Sequence, residues 1–196
     1  MWATLGPSLA AISHMETATR PKVLVVYFSR TGTTRKLAES IAHATHADLE
    51  ELRESRSRLG VIGWIRSGYE GTYRVASNPL PLTVSPEEYD LVFVGSPIWN
   101  RALSSPVRGF LKQYGKSLSQ IALFATCAER GAESVLDEMA ALAASAPLAK
   151  LAMREADVKR SPAVQVGEFV ETALVAWEKQ PIQPQRVETA QCCASG

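Results

Sequence analysis

Three uninterrupted apolar runs constrain this chain more than any other feature. They occupy Lys22 to Phe28 (KVLVVYF), Leu91 to Gly95 (LVFVG) and Ile121 to Thr126 (IALFAT). None alternates apolar with polar residues, so each predicts a strand buried on both faces. Amphipathic segments separate them. The segment 34–46 places Leu37 and Ile41, and Ala38 and Ala42, at i, i+4. A helix is expected from about Ser105, with Ser105 as its cap and Pro106 at its first position. Its apolar stripe is Val107, Phe110, Leu111 and Tyr114. Two further stripes are Val135, Leu136, Met139 and Leu142, and then Val166, Phe169, Val170, Ala173, Leu174 and Trp177 after Ser161-Pro162. Weaker strands are expected at 48–52 and 150–158. Strand and helix alternate about five times, which predicts an α/β fold, a parallel sheet with helices on both faces.

The 196 residues support one domain, placed at 22–180 with an insertion at 54–86. The flanks, 1–21 and 181–196, read as a disordered leader and tail. The leader has a short apolar stretch but no basic start, so no signal peptide is expected. The formal net charge is +1, so no overall field draws the chain to nucleic acid or a membrane surface. No apolar run approaches the ~18 residues of a membrane span. Cys127, Cys192 and Cys193 form no disulfide framework and no metal spacing. A reducing, cytoplasmic setting is the expectation.

In a parallel sheet, ligands bind beyond the carboxyl ends of the strands. The loops 29–34, 96–103 and 127–131 are therefore expected to converge. The first, 29-SRTGTT-34, has four hydroxyls, a glycine and no acid, and it leads straight into a helix. A helix start offers unpaired N–H groups and partial positive charge. Hydroxyl donors beside it make a cradle for phosphate. Arg30 and Arg35 are candidates to add charge, or are solvated. The spacing G-x-x-x-x-G-K-[ST] is absent, as is G-x-G-x-x-G after a strand, which excludes a P-loop and a dinucleotide fingerprint. A response regulator needs acidic residues where Ser29, Arg30 and Ser96 stand.

The motif S-x-T-G-x-T, in 29-SRTGTT-34, resembles the fingerprint that flavodoxins use for the phosphate of FMN. The segment 95-GSPIWNRALSSPVRGFL-111 resembles their third-strand region, and 125-ATCAERG-131 occupies the loop that closes the other side of the ring. The resemblance runs from about Lys22 to Trp177. It implies a flavodoxin-like three-layer sandwich, five parallel strands in order 2-1-3-4-5, with FMN as cofactor. Ser29, Arg30, Thr31, Gly32, Thr33 and Thr34 would surround the phosphate. Ser96, Pro97, Ile98, Trp99 and Asn100 would line one face of the ring. Thr126, Cys127, Ala128, Glu129 and Gly131 would lie near its other face or edge.

No catalytic nucleophile or base and no metal ligand is expected. No histidine occupies the later loops to activate Cys127. The chain lacks the acidity of electron-carrier flavodoxins, and 127-CAERG-131 lacks an aromatic for the outer face of the ring. Three functions stay open at this point. One is electron transfer to a redox partner protein. The second is an NAD(P)H-dependent reductase acting on a small quinone-like acceptor. The third is a flavin-free binding module. The stretch 54–81, rich in glycine and aromatic residues, reads as a lid, as a homodimer contact, or as a helix packed on the body.

Overall fold

A computed structural model describes residues 20–53, 80–128 and 132–180. The first apolar run forms β1 (Val23–Tyr27), and Thr33–Thr45 forms α1. There follow β2 (Asp48–Glu51), β3 (Leu91–Trp99), β4 (Ala102–Leu103) and α2 (Ser105–Tyr114). The chain continues through β5 (Ile121–Cys127), α3 (Glu133–Ala143), β6 (Lys150–Arg154), α4 (Glu155–Arg160) and α5 (Ala163–Glu178).

The sheet order is β2-β1-β3-β5-β6, and all four ladders are parallel. With the short β4 set aside, this is the 2-1-3-4-5 order expected from sequence. Alternate strand residues face opposite layers. Leu24, Val26, Val92, Val94, Leu123 and Ala125 pack with Val107, Phe110 and Leu111 of α2 and with Val135, Leu136 and Met139 of α3. Val23, Val25, Phe93 and Phe124 pack on the other side with Leu37 and Ile41 of α1 and with Val166, Phe169 and Val170 of α5. Each fully buried side chain of this size contributes about 1.5–3 kcal/mol. Two such cores, one per face, explain why the central strands carry no polar alternation.

The structure departs from the sequence reading in three places. The segment 96–103 was expected to be loop, yet β3 runs on to Trp99 and turns back into β4. Ile98 pairs with Leu103, and Trp99 with Ala102. Asn100 and Arg101 make the turn with φ of 50° and 56°. Positive φ at both central residues marks the hairpin turn whose twist matches its strands. Without glycine or Asn-Gly, the sequence signals it poorly.

Second, α2 starts one residue early. Ser104 holds the cap position, but its side chain does not cap. Its hydroxyl instead pairs with that of Ser96 at 2.9 Å. Third, 150–158 is a short strand followed by α4. Glu155 and Asp157 in the first turn of α4, with Lys159 and Arg160 in its last, complement the helix dipole, and Val158 is fully buried.

Of the insertion, 54–79 lies outside the described residues, as do 1–19 and 181–196. Residues 80–86 tie back to β2. Leu80 N–H donates to Arg53 O at 2.7 Å, and Thr83 donates through both N–H and hydroxyl to the buried carboxylate of Glu50.

Candidate functional site

At the carboxyl end of β1 the chain leaves the sheet through Phe28 and enters α1 at Gly32. Gly32 has φ of 88°, the left-handed region that disfavours side chains. No side chain caps α1, and its first turn holds no acid. The first helical bond is Lys36 N–H to Gly32 O at 2.9 Å. The N–H groups of Thr33, Thr34 and Arg35 therefore have no partner within the helix and project from its end. A Cβ built on Gly32 would meet nothing within 4 Å, so there is open space beside this residue.

The four hydroxyls divide by task. Ser29 Oγ accepts Gly32 N–H at 3.2 Å and so shapes the loop. Thr34, 1% exposed, shares a 2.7 Å hydroxyl pair with Thr126 of β5, 2% exposed. That pair ties the start of α1 to the sheet. Thr31 is exposed and Thr33 is buried. Neither hydroxyl has a hydrogen-bond partner among the described residues. Two unpaired hydroxyls thus belong to the same short stretch as three backbone N–H groups without helical partners, with no carboxylate in the first turn. This donor set fits a phosphate dianion.

The first two expected loops, 29–34 and 96–103, meet beside the end of β5, while most of the third, 129–131, lies outside the described residues. Pro97 lies beside Thr126 in the β3–β5 register. Trp99 reaches Phe28, its ring edge-on at 5.8 Å and 83°. The Arg30 guanidinium lies over the Trp99 ring, 5.2 Å from its centroid. Ile98 and Trp99 are half-buried, and Asn100 is exposed at the hairpin tip. Ser96 is fully buried and occupied by Ser104 and by Pro97 O, at 2.9 Å each. It braces the base of the hairpin. Ala128 is exposed just past the end of β5. Glu129 and Gly131 lie outside the described residues.

The two arginines of the loop part company. Arg35 turns away to Glu51 at 2.6 Å, and that carboxylate raises the arginine's pKa further. Burial pushes the Tyr27 phenol up, against the hydrogen bond from Arg35. Cys127 is buried, with Sγ 3.8 Å from Met153 O. Burial, then nearby Glu155, raises its thiol pKa. A neutral buried thiol makes a poor nucleophile.

Sequence reasoning missed Phe28 and Ser104. Phe28 looked like an ordinary strand residue, and Ser104 looked like one of several serines near a helix start. Arg30 and Trp99 were each named, but their stacking was not visible. Among the described residues, no cluster of three or more His, Cys, Asp or Glu could hold a metal ion. Among the same residues, no helix is long and apolar enough to cross a membrane.

A parallel sheet in this order, with a hydroxyl-rich loop at the first helix start and a tryptophan hairpin beside it, defines the flavodoxin-like class. The flavodoxin family model matches residues 22–161, and the chain belongs to that family. Solved structures agree on the fold. A flavoprotein from Lactobacillus acidophilus, solved in complex with FMN, has 23% identity and a TM-score of 0.58. That match covers 71% of this chain and 97% of the other. A flavodoxin, WrbA-like protein from Agrobacterium tumefaciens has 16% identity and a TM-score of 0.52, covering 82% of this chain and 99% of the other. No curated protein matches the sequence.

Proposed function

We propose that this protein binds FMN and carries electrons on it. The observation that carries the reading is the uncapped start of α1, where the N–H groups of Thr33, Thr34 and Arg35 have no helical partner, the hydroxyls of Thr31 and Thr33 are unpaired among the described residues, and a Cβ on Gly32 would meet nothing within 4 Å. Such a site holds a phosphate through neutral donors. The hairpin 96–103 and the residues 126–128, at the same carboxyl edge of the sheet, would hold the ring. When bound, the flavin supplies reversible electron and hydride transfer. The chain's part is to bind the phosphate, to orient the ring, and to cover one of its faces with Trp99 and Ile98. Cys127 takes no covalent role.

The partner decides between two redox readings. A carrier passes electrons between proteins. A reductase takes hydride from NAD(P)H and delivers it to a quinone. The near-neutral charge favours the reductase, because a carrier gains its docking rate from a strong surface field.

Adding apoprotein to FMN and following flavin fluorescence tests the first claim. Stoichiometric quenching is expected, weakened when Thr31 and Thr33 become alanine. Silence with FMN, riboflavin and FAD alike would leave a flavin-free binding module. Steady-state NADPH oxidation with a quinone then separates carrier from reductase.

A further inference from the structure

The cation in the loop marks a departure from a purely neutral cradle. Arg30 stands between Ser29 and Thr31, and its guanidinium lies 5.2 Å from the centroid of the Trp99 ring. Of the other described arginines near or beneath the site, three find carboxylates, and Arg101 at the hairpin turn does not. Arg35 pairs with Glu51 at 2.6 Å, Arg154 with Asp157 at 2.8 Å, and Arg108 with Glu138 at 2.9 Å. No carboxylate among the described residues pairs with Arg30. Its charge is therefore not neutralised within that set, beside donors that are otherwise uncharged.

The indole is what directs it. A guanidinium over an aromatic face is favoured electrostatically, while its N–H fork stays free at the rim. Trp99 is itself fixed by the hairpin pairing with Ala102 and by the edge contact with Phe28. Two contacts locate the platform, and the cation on it is held by a weak force that a phosphate can redirect.

We infer that Arg30 reads the phosphate charge of the flavin, and that Trp99 is the positioning residue that presents it. The inference rests on the FMN reading. It extends that reading by making the site choose a phosphate monoester dianion by charge as well as by hydroxyl count. At low salt, one cation near a dianion favours binding by roughly tenfold, and salt removes most of that.

The experiment measures FMN and riboflavin affinity by flavin fluorescence at low and high ionic strength. Riboflavin lacks the phosphate and serves as the control. Arg30→Gln is expected to lower the FMN-to-riboflavin affinity ratio about tenfold at low salt and to leave riboflavin binding unchanged. The gap closes at high salt. Arg30→Lys keeps most of the salt dependence, since it keeps the charge. Trp99→Leu, with Arg30 in place, lowers the same ratio part-way.

An unchanged ratio in Arg30→Gln, or equal losses for FMN and riboflavin, overturns the role of Arg30. A normal ratio in Trp99→Leu overturns the platform. Wild-type protein that binds neither flavin refutes the FMN reading, and this inference with it. Wild type that binds FMN with no change in Arg30→Gln refutes the inference alone.

Discussion

Gly95 offers the sharpest test of the packing beneath the site. It lies in β3 between Val94 and Ser96, paired with Tyr27 on one side and Phe124 on the other. A Cβ on Gly95 would come within 2.1 Å of Phe124 Cζ and 2.2 Å of Cε2. Phe124 is fully buried, so its ring has no free direction in which to retreat. Overpacking a filled core costs about 1–3 kcal/mol, and a clash this close belongs at the upper end. Gly95→Ala is therefore expected to destabilise by about 3 kcal/mol, roughly 6–12 °C in Tm for a domain of this size. Urea unfolding followed by circular dichroism reads it. Phe124→Leu should relieve the clash, so the double variant should lose at least ~1 kcal/mol less than the sum of the single changes. A Gly95→Ala protein within about 0.5 kcal/mol of wild type would refute the packing of Phe124 across Gly95.

Three other perturbations follow from the same structure. Thr34→Ala leaves the buried Thr126 hydroxyl without its partner and should cost about 1–3 kcal/mol, while Thr34→Ala with Thr126→Ala should cost less than the two single losses added; additive losses in urea unfolding would argue against the pair. Glu138→Ala strips the carboxylate from Arg108, whose side chain is 3% exposed, and should cost about 3 kcal/mol, with a loss under ~1 kcal/mol in the same assay showing that the ion pair is unimportant. Burial, then the hydrogen bond to Asp48, pushes the Tyr89 phenol up from 10.0 to about 12. Its stabilising contribution is full below pH 10 and is lost as pH rises through about 12. The stability difference between wild type and Tyr89→Phe should therefore shrink across that window, and a difference that stays constant with pH would contradict the assignment.

The central strands were legible because β1, β3 and β5 are buried on both faces, so their sequences carry apolar residues without interruption. The helices were legible because each covers one face of the sheet and shows the matching stripe. Polar edge elements were harder. In β6, only Met153 is buried among Lys150, Leu151, Ala152 and Arg154, so the strand blurred into α4. The hairpin was missed because its turn, Asn100-Arg101, uses two residues with positive φ where glycine would have advertised it. At the site, residue types identified the loop, but not which hydroxyls were already taken. That Thr34 faces Thr126, that Arg35 turns to Glu51, and that Arg30 rests on Trp99 are facts of tertiary placement. No local pattern encodes them.

The most direct test of the account is amide chemical-shift mapping by NMR as FMN is added to the isotope-labelled apoprotein. The expected result is that the largest shifts fall on Thr33, Thr34 and Arg35 at the start of α1, with a second set at 97–101 and a third at 126–128. Riboflavin should reproduce the second and third sets and spare the first. Shifts confined to the β2 edge or to α5, with the start of α1 unmoved, would contradict the placement of the phosphate and with it the proposed function.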